Sequence, residues 1–380
     1  MRARPTRAAI SNSDAVGIAN RAFVVSRHTD CDSAQLQVGT GNAQGEGMQH
    51  FNKSLTALVF STVLATGCIV QEEAPENLAR AIPTAETVRI NLPDSAAREI
   101  SDAPINGVST TRNAVLGELA EYYVLTRNVT RDLNGGAGWV LTLVHAIVQT
   151  PPTTVNGNTY TWGPGSDALD PADYRLIVTE NDNGSYDWSL DGRSKIQANA
   201  DFEALVYGNA VPGEIAHRGN GSYTLDFDAA ERVNPIDNEP VGLVTVEYDL
   251  EGGQGFSTLN MTIDSRETGD DGVERDVHFD YNYAEALDGG GNFSFAINGD
   301  LDDDGSLQES ALIRSRWLNT GAGRADFRAQ DGDLGDLVVE ASECWSSNFG
   351  RVYYADNQNW MPTEGEEADC SHATSDLPQL

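Results

Sequence analysis

Asp300-Leu301-Asp302-Asp303-Asp304-Gly305-Ser306-Leu307 sets carboxylates at alternate positions ahead of a glycine. Alternating carboxylates converge on one hard cation, and the glycine allows the sharp turn that brings them together. Asp300, Asp302 and Asp304 are therefore the candidate metal ligands, with calcium as the one cofactor the chain points to. Ala311 stands where a calcium loop carries its bidentate Glu, and no helical pattern flanks the segment. The simpler reading is an acidic turn between two strands, and a calcium ion there would be structural. Arg314, Arg316, Arg324 and Arg328 form the one basic cluster of an acidic chain. Such guanidinium groups suit an anion or carboxylate; neutralisation of the Asp300–Asp304 and Asp331–Asp336 runs is the plainer expectation. His145, His217, His278 and His372 are far apart in sequence and make no close metal-ligand pair. His145 sits in an apolar helical stretch and reads as a core histidine, whereas His278, between Val277 and Phe279, reads as outward-facing. No Gly-x-Ser-x-Gly elbow, dinucleotide fingerprint or phosphate loop occurs. Carboxylates are too abundant for a glycosidase dyad to stand out. No residue is assigned a catalytic role.

The cysteines carry a different chemistry. Met48-Gln49-His50-Phe51-Asn52-Lys53 is a short, weakly basic segment, followed by an apolar run from Leu55 to Ala65 and then Thr66-Gly67-Cys68. That order is the pattern of a secretory signal, and the run is too short for a spanning helix, which needs about 20 apolar residues. Ala65-Thr66-Gly67-Cys68 resembles the lipobox of bacterial lipoproteins, although Leu64 lies one place further from the cysteine than usual. The resemblance implies lipidation of the Cys68 thiol and cleavage just before it. Residues 1–47 are expected to be a mis-assigned start, with Met48 the initiator, or a disordered leader. Residues 48–67 read as the signal peptide and 68–86 as an acidic tether behind the lipidated cysteine. Ile69 rather than Asp follows Cys68, which leans towards the outer membrane. Cys344 and Cys370 remain in the exported part and can pair in an oxidising envelope.

The formal net charge is −34, and 54 of the 58 acidic but only 18 of the 24 basic residues lie in 69–380. A field this negative repels nucleic acid and anionic lipid heads and keeps a chain soluble. Nucleic acid is excluded as a partner; the membrane is reached through the N-terminal lipid.

The elements that must position these residues fall into two periods. Tyr122, Leu125, Val129, Leu133, Gly136, Val140, Leu143 and Ile147 recur at helical spacing within a segment of about 113–149. Gly135-Gly136 predicts an interruption, hence a helical hairpin or kinked pair, and Pro151-Pro152 ends it. From Thr159 the period becomes two. Tyr186, Trp188 and Leu190 alternate with polar residues, as do Tyr223, Leu225 and Phe227, then Val244, Val246 and Tyr248, and further sets to Ile297. Such strands, half buried and half wet, belong to an antiparallel sheet. An aromatic follows a Gly-rich turn at Tyr186, Tyr223, Phe256 and Phe293, at separations of 37, 33 and 37 residues. The expected fold is α+β and mainly antiparallel β. It is one domain over 87–380, an up-and-down curled sheet or barrel of about ten strands packed on a helical hairpin.

Three stretches carry a wider resemblance. They are Tyr123-Val124-Leu125-Thr126-Arg127-Asn128-Val129-Thr130 with Asn134-Gly135-Gly136, then Pro151-Pro152-Thr153 with Trp162-Gly163-Pro164, then Gly321-Ala322-Gly323-Arg324-Ala325-Asp326 with Glu343-Cys344-Trp345. Together they resemble an uncharacterised family of bacterial envelope lipoproteins, which brings no activity and no site residues. In outline the expected fold is also similar to periplasmic lipoprotein-carrier and lipocalin-like barrels, an analogy that does not transfer function. The leading expectation is a non-catalytic envelope lipoprotein whose curled sheet binds an apolar ligand such as a lipid. A structural or adhesive surface module with a calcium-fixed loop is the alternative, and a hydrolase with dispersed acidic residues the third.

Overall fold

The computed structural model describes residues 76–82, 84, 87, 116–236, 242–251, 256–268, 273–286, 289–299 and 307–377. Fifteen strands form one sheet in chain order, each antiparallel to the next. They are β1 (Thr154–Asn156), β2 (Thr159–Gly165), β3 (Ala172–Glu180), β4 (Tyr186–Ser194), β5 (Glu203–Val211), β6 (Asn220–Asp226), β7 (Leu243–Asp249), β8 (Phe256–Thr268), β9 (Glu274–Ala286), β10 (Gly291–Gly299), β11 (Glu309–Trp317), β12 (Gly323–Asp331), β13 (Val339–Trp345), β14 (Arg351–Asp356) and β15 (Glu364–Gly365). The expected meander is present, but it has fifteen strands rather than ten, and it is an open sheet rather than a barrel. Two of the uncounted strands carry a residue that is not apolar at an inward position. Gly208 takes one in β5, opposite Tyr223 and Trp188, and Glu343 takes one in β13 between Ala341 and Trp345. Alternation is invisible where a glycine or a charge occupies the buried face.

Among the described residues three α-helices accompany the sheet: α1 (Glu76–Ala81), α2 (Glu121–Val148) and α3 (Phe227–Val233). The expected helical hairpin is instead the single helix α2, 28 residues and so about 42 Å long. Gly135 and Gly136 lie within it. A glycine costs a helix roughly 1 kcal/mol against alanine but removes no backbone hydrogen bond, unlike proline. Burial at both ends, by Tyr122, Tyr123 and Val129 and by Val144 and Val148, outweighs that cost. Side chains 131–143 of α2 lie outside the described residues. Residues 116–120, within the stretch expected to be helical, are instead a turn and an isolated bridge: Gly117 donates to the Arg351 carbonyl at 2.9 Å and Ala120 to that of Phe349 at 2.9 Å. α1 falls inside the stretch read as tether, yet Leu78, Ala81 and Ile82 are buried. Its apolar positions make it part of the fold.

One face of the sheet is the core. Phe279, Tyr281, Phe293 and Phe295 line its middle, with the Tyr281 and Phe295 rings stacked at 4.5 Å. The last strands pack differently. Gly291, Trp317, Gly323 and Trp345 lie in one row across β10 to β13. A Cβ on Gly323 would come within 2.4 Å of the Trp345 ring, and one on Gly291 within 2.7 Å of the Trp317 ring. The indoles lie on bare backbone, and Trp345 Nε1 donates to the Gly321 carbonyl at 2.9 Å.

Candidate functional site

The sheet places its charges in three distinct settings. Under the start of α2, Glu343 points into the core and is fully buried. Ala120 at the helix N-cap has no side chain to offer the free amides. Glu343 supplies one from 222 residues away: its Oε1 accepts from the Glu121 amide at 3.1 Å and its Oε2 from the Tyr122 amide at 2.5 Å. The Arg351 guanidinium donates to the same carboxylate. Burial pushes the Glu343 carboxyl above its ordinary range, against the pull of Arg351 and the Tyr122 amide. One turn on, the Thr126 and Ser315 hydroxyls meet at 2.5 Å. These groups fix the helix on β11 and β13. Glu343 and Arg351 were not candidates from sequence; the signal was a charge in phase with the apolar positions Val339, Ala341 and Trp345.

On the opposite face lies the arginine cluster. Arg324 and Asp326 are 1% and 0% exposed. Arg324 Nε donates to Asp326 Oδ1 at 2.7 Å, Nη1 to Glu367 Oε1 at 2.7 Å and Nη2 to Ser342 Oγ at 3.1 Å. Arg316 reaches Asp326 and Asp376, both at 3.2 Å, Arg314 reaches Asp376 at 3.1 Å, and Arg328 pairs with Glu340 at 2.6 Å. Neutralisation, the plainer expectation, is what these residues do among the described residues, with Asp326 and Glu340 on the sheet and Glu367 and Asp376 from a C-terminal strap; the Asp300–Asp304 run lies outside the described residues. The strap is fastened by the disulfide Cys344–Cys370, with Cα atoms 5.5 Å apart. The sequence pairing of those two cysteines holds. Burial, and next the Arg316 charge, lowers the pKa of His372 in the strap.

The remaining histidines separate. His145 is not the fully packed core residue expected. It is half-buried near the end of α2, its ring 5.1 Å from that of His217, and its Nδ1 has no hydrogen-bond partner among the described residues. Its Nε2 faces the Gln149 amide at 2.6 Å. Burial and then His217 lower its pKa. His217 ties α1 down: its amide donates to the Arg80 carbonyl at 2.9 Å, and its Nδ1 lies 3.0 Å from the Ile82 carbonyl oxygen. His278 faces outward as expected, between Asp264 at 2.7 Å and Asp280 at 3.1 Å, and the Asp264 hydrogen bond raises its pKa. Among the described residues no group of three or more His, Cys, Asp or Glu side chains is placed to hold a metal. Cys68 and the calcium candidates Asp300, Asp302 and Asp304 lie outside the described residues.

The third setting is the exposed outer face. A depression of about 340 Å³ opens over β6, β7 and β8, lined by Asn220, Ser222, Glu247, Asp249, Thr258 and Asn260 with Gly221 and Tyr248. These are alternate residues of adjacent strands, paired Ser222↔Glu247↔Asn260 and Asn220↔Asp249↔Thr258. The lining offers amides, hydroxyls and carboxylates and no cation.

Comparison of the chain with protein-family models, curated proteins and solved structures finds no match.

Proposed function

We propose that the chain is a non-catalytic lipoprotein of the bacterial cell envelope, anchored through a lipid on Cys68, with the outer membrane as its site. In this reading the open sheet is a scaffold: its inner face is a filled core and its outer face the surface that meets partners. The observation that carries it is how the strongest charges are used. Glu343 and Arg351 seat a helix, and Arg314, Arg316, Arg324 and Asp326 fasten a strap. Groups buried and spent in this way are structural ties, whereas a catalytic carboxylate or base must face a substrate. Metabolic labelling with a palmitate analogue tests the anchor. Label in the membrane-bound chain, lost together with membrane retention in Cys68→Ala, is expected; an unlabelled wild-type chain overturns it.

The stacked aromatics Phe279, Tyr281 and Phe295 favour a second reading, in which an apolar ligand such as a lipid enters between the inner face and α2. It requires α2 to give way, because those rings are buried in the chain alone. A structural calcium ion on Asp300, Asp302 and Asp304 is compatible with either reading. A melting temperature that is the same in calcium and in chelator removes it.

A further inference from the structure

We propose that the outer-face depression over β6, β7 and β8 is a binding site for a neutral oligosaccharide. Three observations converge there. The first is the chemistry of the lining. Asn220 and Asn260 carry both donors and acceptors, Glu247 and Asp249 accept only, and Ser222 and Thr258 do either. A ligand that uses all of them must itself offer many hydroxyls along its length. The second is availability. Glu247 and Asn260 are exposed, and neither side chain has a hydrogen-bond partner among the described residues. Ser222 is positioned by Asn209 at 3.0 Å, and the exposed Asp249 accepts from the Glu251 amide at 3.1 Å through Oδ1.

The third is a pair of exposed aromatic rings on the same face. Tyr207 lies two residues from Asn209 in β5 and is 41% exposed; Phe256 lies two residues from Thr258 in β8 and is 45% exposed. Strand spacing and rise set them about 25 Å apart across the depression. Aromatic faces in water with polar groups between them match a chain of sugar rings, which present apolar C–H faces and hydroxyl edges. The absence of a cation from the lining, beside two carboxylates, disfavours anionic glycans. This rests on the scaffold reading of the sheet: a glycan cleaved rather than held would overturn that reading, whereas the outcomes below bear on the site alone.

The test is calorimetric titration of the full chain, extracted in a polyoxyethylene detergent that carries no sugar. The probes are cellohexaose, chitohexaose, maltohexaose and an oligogalacturonate of equal length. Binding of at least one neutral hexasaccharide is expected, with the oligogalacturonate bound more weakly or not at all. Tyr207→Ala and Asn260→Ala, both surface changes, should each weaken binding about five-fold or more. No heat with any neutral probe at millimolar concentration, tighter binding of the oligogalacturonate, or binding unchanged in both variants would overturn the site.

Discussion

Asp326 is the residue on which most of the outer-face ties converge. It accepts from Arg324 and Ser342 on one oxygen and from Arg316 on the other, with no exposed surface of its own. Removing one partner of a buried pair leaves the other charge desolvated, at a cost of about 3 kcal/mol or more. Asp326→Ala is expected to lower unfolding stability by that amount in denaturant titration. A change under 1 kcal/mol, on the scale of an exposed pair, would mean that the cluster is hydrated and not the tie described. His145 makes a prediction in pH. Its pKa in the folded chain lies below the ordinary 6.5 because burial and His217 disfavour the imidazolium. The folded state then binds its proton less readily than the unfolded chain. The stability it contributes is complete above 6.5 and is lost as pH falls through the lowered value. Unfolding midpoints measured downward from pH 6.5 should fall more steeply in the wild type than in His145→Gln; parallel curves would refute the coupling.

At the scale of elements, the C-terminal strap has few apolar contacts and depends on its ionic ties and one covalent link. Cys344 and Cys370 are 26 residues apart, and closing such a loop contributes about 3 kcal/mol, chiefly by restricting the unfolded chain. Cys370→Ser is expected to cost about that much and to open Arg324 to solvent, read as faster amide exchange in β12. Protection unchanged in β12 would show that the strap holds without the bridge. This pairing was legible in the sequence because only two cysteines remained once Cys31, in the expected leader, and Cys68 were set aside. The strands of β4, β6, β7, β8, β9 and β10 were legible for a different reason: each carries a run of apolar residues at every second position, although Phe227, read as continuing β6, instead begins α3. The helix was legible in its apolar spacing but not in its continuity, since local propensity at Gly135-Gly136 opposes what burial at both ends imposes. The seat of α2 was not legible. It joins Glu343 to the Tyr122 amide across 221 residues, and only the order of strands brings them together. The arginine cluster was visible as a cluster, while its partners depended on where the C-terminal strap folds back.

The whole molecule is a long open sheet, and open sheets expose two edges that invite pairing with other chains. Here the edges are its shortest strands: β1 has three residues and β15 two. Short edges and a net charge of −34 both oppose self-association. The same layout separates two faces. Aromatic side chains fill one, with Phe293 at 0% and Phe295 at 3% exposure, and the other is mainly polar and charged, from the amides, hydroxyls and carboxylates of the depression to the arginine cluster. The central claim is that the aromatic face is a closed core and the polar face the working surface. It is tested most directly by native mass spectrometry of residues 69–380, exported behind a cleavable signal and purified from a bacterial envelope fraction without detergent. The bare chain mass is expected, with the amides of α2 protected from exchange. A retained lipid-sized adduct, lost together with that protection, would contradict it and make the inner face a ligand cavity.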